Sequence, residues 1–411
     1  MAVSALDSRV FRNLFGTQEV RDIFTDDAYA GFLIEVEAAL ARAETTVGVI
    51  PAAAGQVITD AFAKITLDFD RLARETDIVG YPVLPLVKQL VEGTPGEIAK
   101  YIHWGATTQD IMDDASMLQM KKGLQLVRRE LQALAEILKG LAVKYRDTPM
   151  AGRTHLQHAL PCTFGYKCAV YLSSILRHQE RLDEIERRCL LAQFGGAAGT
   201  LASLQDADTG LQVRAELAKE LGLKEPLITW HVARTLGKVA LDLMVMSSNE
   251  YDEVSEPFVP HRAASKLLRS NASLGLDAMV TDFERASGPW HLEWVAIPEA
   301  FIVAVGALNQ SNFALGGLVV KVDSMSRNLH STRGLIVGEA VMMGLAPVLG
   351  RQKAHDVVYE ACKIAIEENR SLLEVLKENA DLSGSLPVDR LANLCDPLQY
   401  LGASQQMIID C

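Results

Sequence analysis

Three short stretches of this 411-residue chain concentrate side chains that can move protons or hold anions. The first is His103-Trp-Gly-Ala-Thr-Thr-Gln-Asp110. A glycine, two threonines and an acid ahead of a helical pattern read as a capped N-terminus, with Thr107 or Thr108 as the cap. The same arrangement suits a carboxylate, because the exposed N–H groups at a helix start favour anions. The second stretch is Gly152-Arg-Thr-His-Leu-Gln-His-Ala159, closed by Pro161. It packs a guanidinium, a hydroxyl, two imidazoles and an amide into one turn-like segment. His155 and His158 are three apart, yet no His-Glu-x-x-His pattern or cysteine partner points to a metal. Proton relay fits better, since imidazole titrates near neutral pH. The third is Glu284-Arg-Ala-Ser-Gly-Pro-Trp-His-Leu-Glu-Trp294, where Arg285 can grip a carboxylate with both arms of its fork and the tryptophans can wall an apolar slot. Each stretch also has a plain structural reading: a cap, a buried histidine, a surface ion pair. The density of polar groups around His155 argues against the plain reading there.

Gly195-Gly-Ala-Ala-Gly199 is glycine-rich, but it is neither a dinucleotide fingerprint nor followed by Gly-Lys-Ser/Thr, so it is weak as a phosphate loop. The chain offers no serine nucleophile elbow and no catalytic cysteine context.

Long helices must position these stretches. Tyr29–Val47 carries apolar residues at three- and four-residue spacing and is stopped by Gly48 and Pro51. Asp113–Tyr145, Phe164–Leu191 and Ala296–Leu318 continue the pattern, and Leu335–Leu349 and Ala354–Asn379 form a C-terminal helical pair. The middle helices far exceed the usual length of about 11 residues, which predicts side-by-side packing, often between subunits. The fold class expected is all-α, in three parts: an N-terminal helical domain over 1–107, a central long-helix bundle over 108–332 and a C-terminal helical domain over 333–411.

Composition agrees: 49% hydrophobic and 22% charged residues exclude a disordered chain, and 6% aromatics lean away from a β-sandwich. The net charge of −12 offers no field for phosphate backbones, so nucleic acid is excluded as a partner. Six scattered cysteines without a Cys-x-x-Cys pair read as reduced thiols. The window Phe301–Val320 is apolar, but Asn309, Gln310, Ser311 and Asn312 at its centre predict a buried helix rather than a membrane span. With no signal-peptide pattern at Met1, the expectation is a cytoplasmic protein with no membrane partner.

Taken in order, the clusters resemble the fumarase/aspartase superfamily over essentially the whole chain, most closely the 3-carboxy-cis,cis-muconate cycloisomerase branch. His103–Asp110 is similar to the first signature region, which binds a substrate carboxylate, and Gly152–Pro161 to the second, whose first histidine (His155) is the usual general acid. Trp230-His-Val-Ala-Arg234, Gly288–Trp294 and Thr332–Met343 are also similar to cycloisomerase segments. The resemblance implies a three-domain subunit in a homotetramer with shared active sites, no cofactor and no metal. It implies a small polycarboxylate substrate bound by His103, Thr107, Thr108, Thr154, Gln157, Trp230, His231, Arg285 and His291. It implies a carbanion stabilised as an aci-carboxylate, with His155 as its proton donor. Thr76-Asp-Ile-Val-Gly-Tyr-Pro-Val83 lacks the histidine of purine lyases, which disfavours an adenylosuccinate lyase-like C–N lyase. A trans-aconitate decarboxylase-like enzyme is the alternative, through the Gly-Tyr-Pro-Val and Gly-Pro-Trp segments. Two family stretches are absent: the third signature, a serine-bearing loop expected after Glu253–Pro257, and a helical segment expected after Arg234. The loss of the serine loop is the sole support for a further alternative, a non-catalytic oligomeric member.

Overall fold

In the computed structural model the chain is mostly helical, as the sequence predicts, and the described residues also include one short strand pair, which it does not predict. The structure describes residues 4–154, 157–196, 199–201, 204, 207–229, 261–278, 287–380, 382, 386–402 and 404–409. They fall into two compact units, one of Met1–Gln132 with His178–Asn312, the other of Ala133–Arg177 with Phe313–Cys411.

In the first unit, helix α1 (Asp26–Val47) starts earlier than its apolar period implies. The Thr25 side chain accepts from the Ala28 N–H, and Asp26 and Asp27 sit in the first turn. It ends at Gly48, whose φ of 90° is the left-handed stop that glycine adopts freely. Its buried face carries Leu33, Val36 and Leu40, and with them two carboxyls, Glu37 and Glu44. Helix α2 (Thr108–Lys144) likewise begins five residues before the expected Asp113. Helix α3 (Phe164–Cys189) enters this unit at His178, and α4 (Ala207–Leu221), α5 (His261–Ala278) and α6 (Ser287–Gly316), the last up to Asn312, follow.

Close packing of α6 on α2 depends on Gly123, where a Cβ would lie 2.6 Å from the Phe301 ring. Phe301 is fully buried and stacks on Phe24 at 5.8 Å between centroids. The segment His291–Gly316 is long and apolar enough to cross a membrane, but half of its most apolar window is buried inside the protein. Asn312 explains part of its polar centre: its amide donates to the Glu130 carbonyl at 3.1 Å and to Glu130 Oε2 at 2.9 Å.

In the second unit, the turn-like stretch of the sequence reading is an antiparallel strand pair, β1 (Pro149–Thr154) and β2 (Gln157–Thr163). Pro149 pairs with Thr163 and Thr154 with Gln157, with an irregularity between Ala151 and Arg153. Gly152 sits at that irregularity, and a Cβ there would come within 2.7 Å of the Leu160 carbonyl oxygen. Ala151 joins Leu329, Ile336, Val337 and Ala340 in a small apolar cluster beneath the strands.

Helices α7 (Gly338–Leu349), α8 (Arg351–Glu367) and α9 (Leu372–Lys377) pack through Leu345, Val358, Ala361, Leu372 and Leu376. The single helix expected over Ala354–Asn379 is therefore two. Asn369 takes a φ of 55°, and Ser371 with Glu374 forms a capping box that opens α9. Among the described residues, Cys162, Cys168, Cys189, Cys362 and Cys395 are free thiols.

Candidate active site

The site is best defined around the start of α2. The chain enters through a tight turn in which His103 (φ 62°) and Gly105 (φ 69°) are both left-handed. Thr107 occupies the cap position: the Asp110 N–H donates to the Thr107 carbonyl at 3.0 Å, and the Thr107 N–H donates to Asp110 Oδ2 at 2.9 Å. This is the return half of a capping box. The Thr107 amide is thereby taken, so the N–H groups left over by the helical pattern are those of Thr108 and Gln109. An anion at this terminus meets those two groups and the positive end of a 37-residue helix.

His103 adds charge beside them. Its Nδ1 lies 2.6 Å from Glu37 Oε1, and the Glu37 side chain is wholly buried. Burial alone would lower the imidazole pKa, but the charge and hydrogen bond of Glu37, with the charge of Asp110, raise it above its ordinary value. The ring is thus held toward its cationic form. Glu37 was legible as a signal, because an acid at the i+4 position from Leu33 falls on the buried face of α1.

Asp110 is 1% exposed, and its carboxylate is ringed by donors. Besides Thr107, it accepts from the N–H groups of Gly195 at 2.9 Å and Gly196 at 3.0 Å, and from Gln193 Nε2 at 3.4 Å. Burial raises the carboxyl more than the Thr107, Gly196 and Gly195 amides lower it, and with the charge of Asp113 it is pushed up to about 7. One turn later, buried Asp114 accepts from the Gln193 N–H at 2.7 Å. The glycine stretch that the sequence left without a role is thus attached to α2.

A second group lies at the start of α6. The rings of His291 and Trp294 are 4.4 Å apart, and Tyr81 stands 6.2 Å from His291. The Gly-Tyr-Pro-Val and Gly-Pro-Trp segments therefore meet in space. Sequence reasoning did not include Tyr81 among the site residues.

In the second unit, β1 and β2 carry Thr154 and Gln157 as paired neighbours, with Gln157 and Arg153 exposed and His158 half-buried. Of the predicted site residues, His103, Thr107, Thr108 and His291 belong to the first unit, and Thr154 and Gln157 to the second. His155, Trp230, His231 and Arg285 lie outside the described residues, as does the junction at Arg234.

The chain matches two family profiles: a lyase family over residues 15–231, and the adenylosuccinate lyase C-terminus over residues 334–410. It is 40% identical to trans-aconitate decarboxylase 1 of Mycosarcoma maydis, over 96% of this chain and 87% of that protein. It is 38% identical to 3-carboxy-cis,cis-muconate cycloisomerase of Acinetobacter baylyi, over 98% of this chain and 97% of the relative. A crystal structure of a fumarate lyase from Mesorhizobium sp. BNC1 superposes with a TM-score of 0.86 at 48% identity, covering 96% of this chain and 97% of that one. The alignment with the Acinetobacter enzyme runs over 441 positions against a chain of 411, so at least 30 of them have no counterpart here.

Proposed function

The chain belongs to the fumarase/aspartase superfamily of enzymes, and from that premise we propose that it acts on a small polycarboxylate as a 3-carboxy-cis,cis-muconate cycloisomerase-like lyase. The observation that carries this reading is the start of α2, where two amides and a histidine biased toward its cation converge beside a buried, donor-saturated Asp110. Such a place binds a carboxylate without a metal or a cofactor.

In this reading Thr107 and Thr108 hold one substrate carboxylate and Arg285 another. His155 gives the proton to the carbanion carbon, with Thr154 and Gln157 orienting it, and His103, Trp230, His231 and His291 complete the lining. The substrate's own carboxylate oxygen attacks the conjugated alkene, a C–O bond forms, and the electron pair moves to the carbon next to the second carboxylate. That carboxylate takes up the charge as an aci form until His155 protonates the carbon. We further propose the three-part division at 107 and 332, a homotetramer with shared active sites, and a soluble cytoplasmic protein of aromatic catabolism.

One observation favours a second reading. Tyr81 stands beside His291 and Trp294, joining the two segments that resemble a trans-aconitate decarboxylase. An adenylosuccinate lyase-like C–N lyase has less support: the family match to that enzyme is confined to residues 334–410, away from the start of α2. Incubating the protein with 3-carboxy-cis,cis-muconate and with trans-aconitate, followed by NMR, separates the readings. Lactone formation supports the cycloisomerase, and loss of carbon dioxide from trans-aconitate supports the decarboxylase. Turnover of neither acid contradicts both.

A further inference from the structure

We propose that Asp110 is a positioning residue, whose carboxylate locks the carboxylate-binding turn at Thr107 to the backbone of Gly195–Gly196 and so makes those two glycines part of the substrate cradle. The inference rests on the proposed role of Thr107 and Thr108.

The geometry suits a carboxyl group and not an amide. Oδ2 accepts from the Thr107 and Gly196 N–H groups at 2.9 and 3.0 Å, and Oδ1 from the Gly195 N–H and Gln193 Nε2 at 2.9 and 3.4 Å. All four neighbours are donors, so both oxygens must accept; a carboxylate does this and an amide cannot. The arrangement is buried, with Asp110 1% and Gln193 0% exposed, so water does not substitute for a lost partner. Gly196 has a φ of 70°, which lets its amide turn back toward Oδ2. Asp114, one turn along α2, takes the Gln193 N–H, so two acids on one helix face hold residues 193–196 at a fixed register. The far side of the glycine stretch is tied as well, because Thr229 Oγ1 donates to the Gly199 carbonyl at 2.9 Å.

A merely structural Asp110 would fix the fold and nothing else. A positioning Asp110 sets where the Thr108 and Gln109 amides point, and therefore the affinity for a carboxylate. The test uses the full chain, Asp110→Asn and Gly196→Ala, with propane-1,2,3-tricarboxylate as an unreactive probe. In Asp110→Asn the amide nitrogen faces two N–H groups. We expect probe affinity to fall roughly tenfold or more, the size of one lost charge-assisted hydrogen bond. KM for the turned-over acid should rise in step, kcat should change far less, and helical content should stay the same. Hydrogen exchange should quicken together in residues 104–110 and 191–196. Gly196→Ala loosens the same contact from its other end and should give the same split, which keeps the test intact if Asp110→Asn does not fold. Wild-type affinity and KM in a folded variant overturn the proposal, as does faster exchange in 191–196 alone. If the unaltered protein does not bind the probe, the carboxylate reading has failed instead. Joint exchange of the two segments then still upholds the lock, and independent exchange still overturns it.

Discussion

The two polar clusters nearest the proposed chemistry use their side chains in opposite ways. At the start of α2, Asp110 and Asp114 are buried; both Asp110 oxygens and Asp114 Oδ1 accept from the Thr107 amide or from backbone amides and a glutamine of residues 193–196. On the strand pair, Arg153 and Gln157 are exposed and His158 is half-buried, while Gly152 and Ala151 supply the close backbone contacts below. One cluster builds a rigid shape whose working groups are amides. The other holds side chains out from a small platform. Substitutions in the first should therefore cost stability and affinity together. Substitutions in the second should cost rate with little effect on stability.

The sharpest test of this contrast is His155→Gln. Loss of a proton-transfer group typically lowers the rate by ~10²–10⁴-fold. We expect that loss in kcat, with the thermal midpoint where it was. A midpoint that falls along with kcat would make the strand pair as integral to stability as the α2 start, and the contrast would collapse. Near-wild-type kcat would remove His155 as the proton donor.

Asp114→Ala probes the opposite side. It strands the buried Gln193 N–H, and an unpaired buried donor costs ~1–3 kcal/mol. Urea unfolding should show that loss. Burial pushes the Asp114 carboxyl well above its ordinary range, which favours its uncharged form. Asp114→Asn should then be nearly neutral, in contrast to Asp110→Asn. A large loss in Asp114→Asn would mean that both acids work as anions.

Much of this architecture was legible in the sequence, and the exceptions are informative. Apolar spacing located α1, α2, α3, α6 and α7, because each buries one face over many turns. It placed the end of α1 at Val47, the start of α3 at Phe164 and the end of α7 at Leu349 but misplaced other ends, because those are set by single caps: Thr25 starts α1 ahead of Tyr29, and Thr107 with Asp110 starts α2 ahead of Asp113. It merged α8 with α9, because the break needs only Asn369 in a left-handed conformation and a Ser371 cap. The strand pair was hidden by Gly152 and Pro161, which interrupt alternation. Within the site, side-chain chemistry was readable at His103, Thr107 and Thr108. The role of Gly195 and Gly196 was not, since it lies in their N–H groups and depends on an acid more than 80 residues away. Tyr81 was passed over for a similar reason, as its partner His291 is distant in sequence.

A smaller effect concerns how the substrate's second carboxylate is held. Arg285→Lys replaces a planar fork with a point charge, so KM should rise by roughly tenfold while kcat is largely kept. Steady-state kinetics decide it. A fall in kcat at unchanged KM would move Arg285 from binding to the transition state.

The smallest effect asks whether charge at His103 belongs to the rigid cluster. Its pKa in the folded protein is raised above the ordinary 6.5, because Glu37 and Asp110 outweigh the cost of burial. A raised cation contributes stability fully below pH 6.5 and loses it as pH climbs through the folded value. Glu37→Gln keeps a hydrogen-bond acceptor but removes the charge. It should destabilise by about 1 kcal/mol at pH 6, and by progressively less as pH rises past that value. Glu44 complicates each curve alone: burial, aided by the charge of Glu37, pushes it up to about 9, so folded Glu44 keeps its proton where the unfolded chain has lost it. Stability therefore falls with pH in both proteins from about 4.5 upward, and that common slope largely cancels in the difference. Urea midpoints for the pair, measured from pH 5.5 to 8, should converge toward the alkaline end. A difference that stays constant across the range would show that Glu37 holds His103 by shape alone, and the α2 start would then owe its anion preference to its amides.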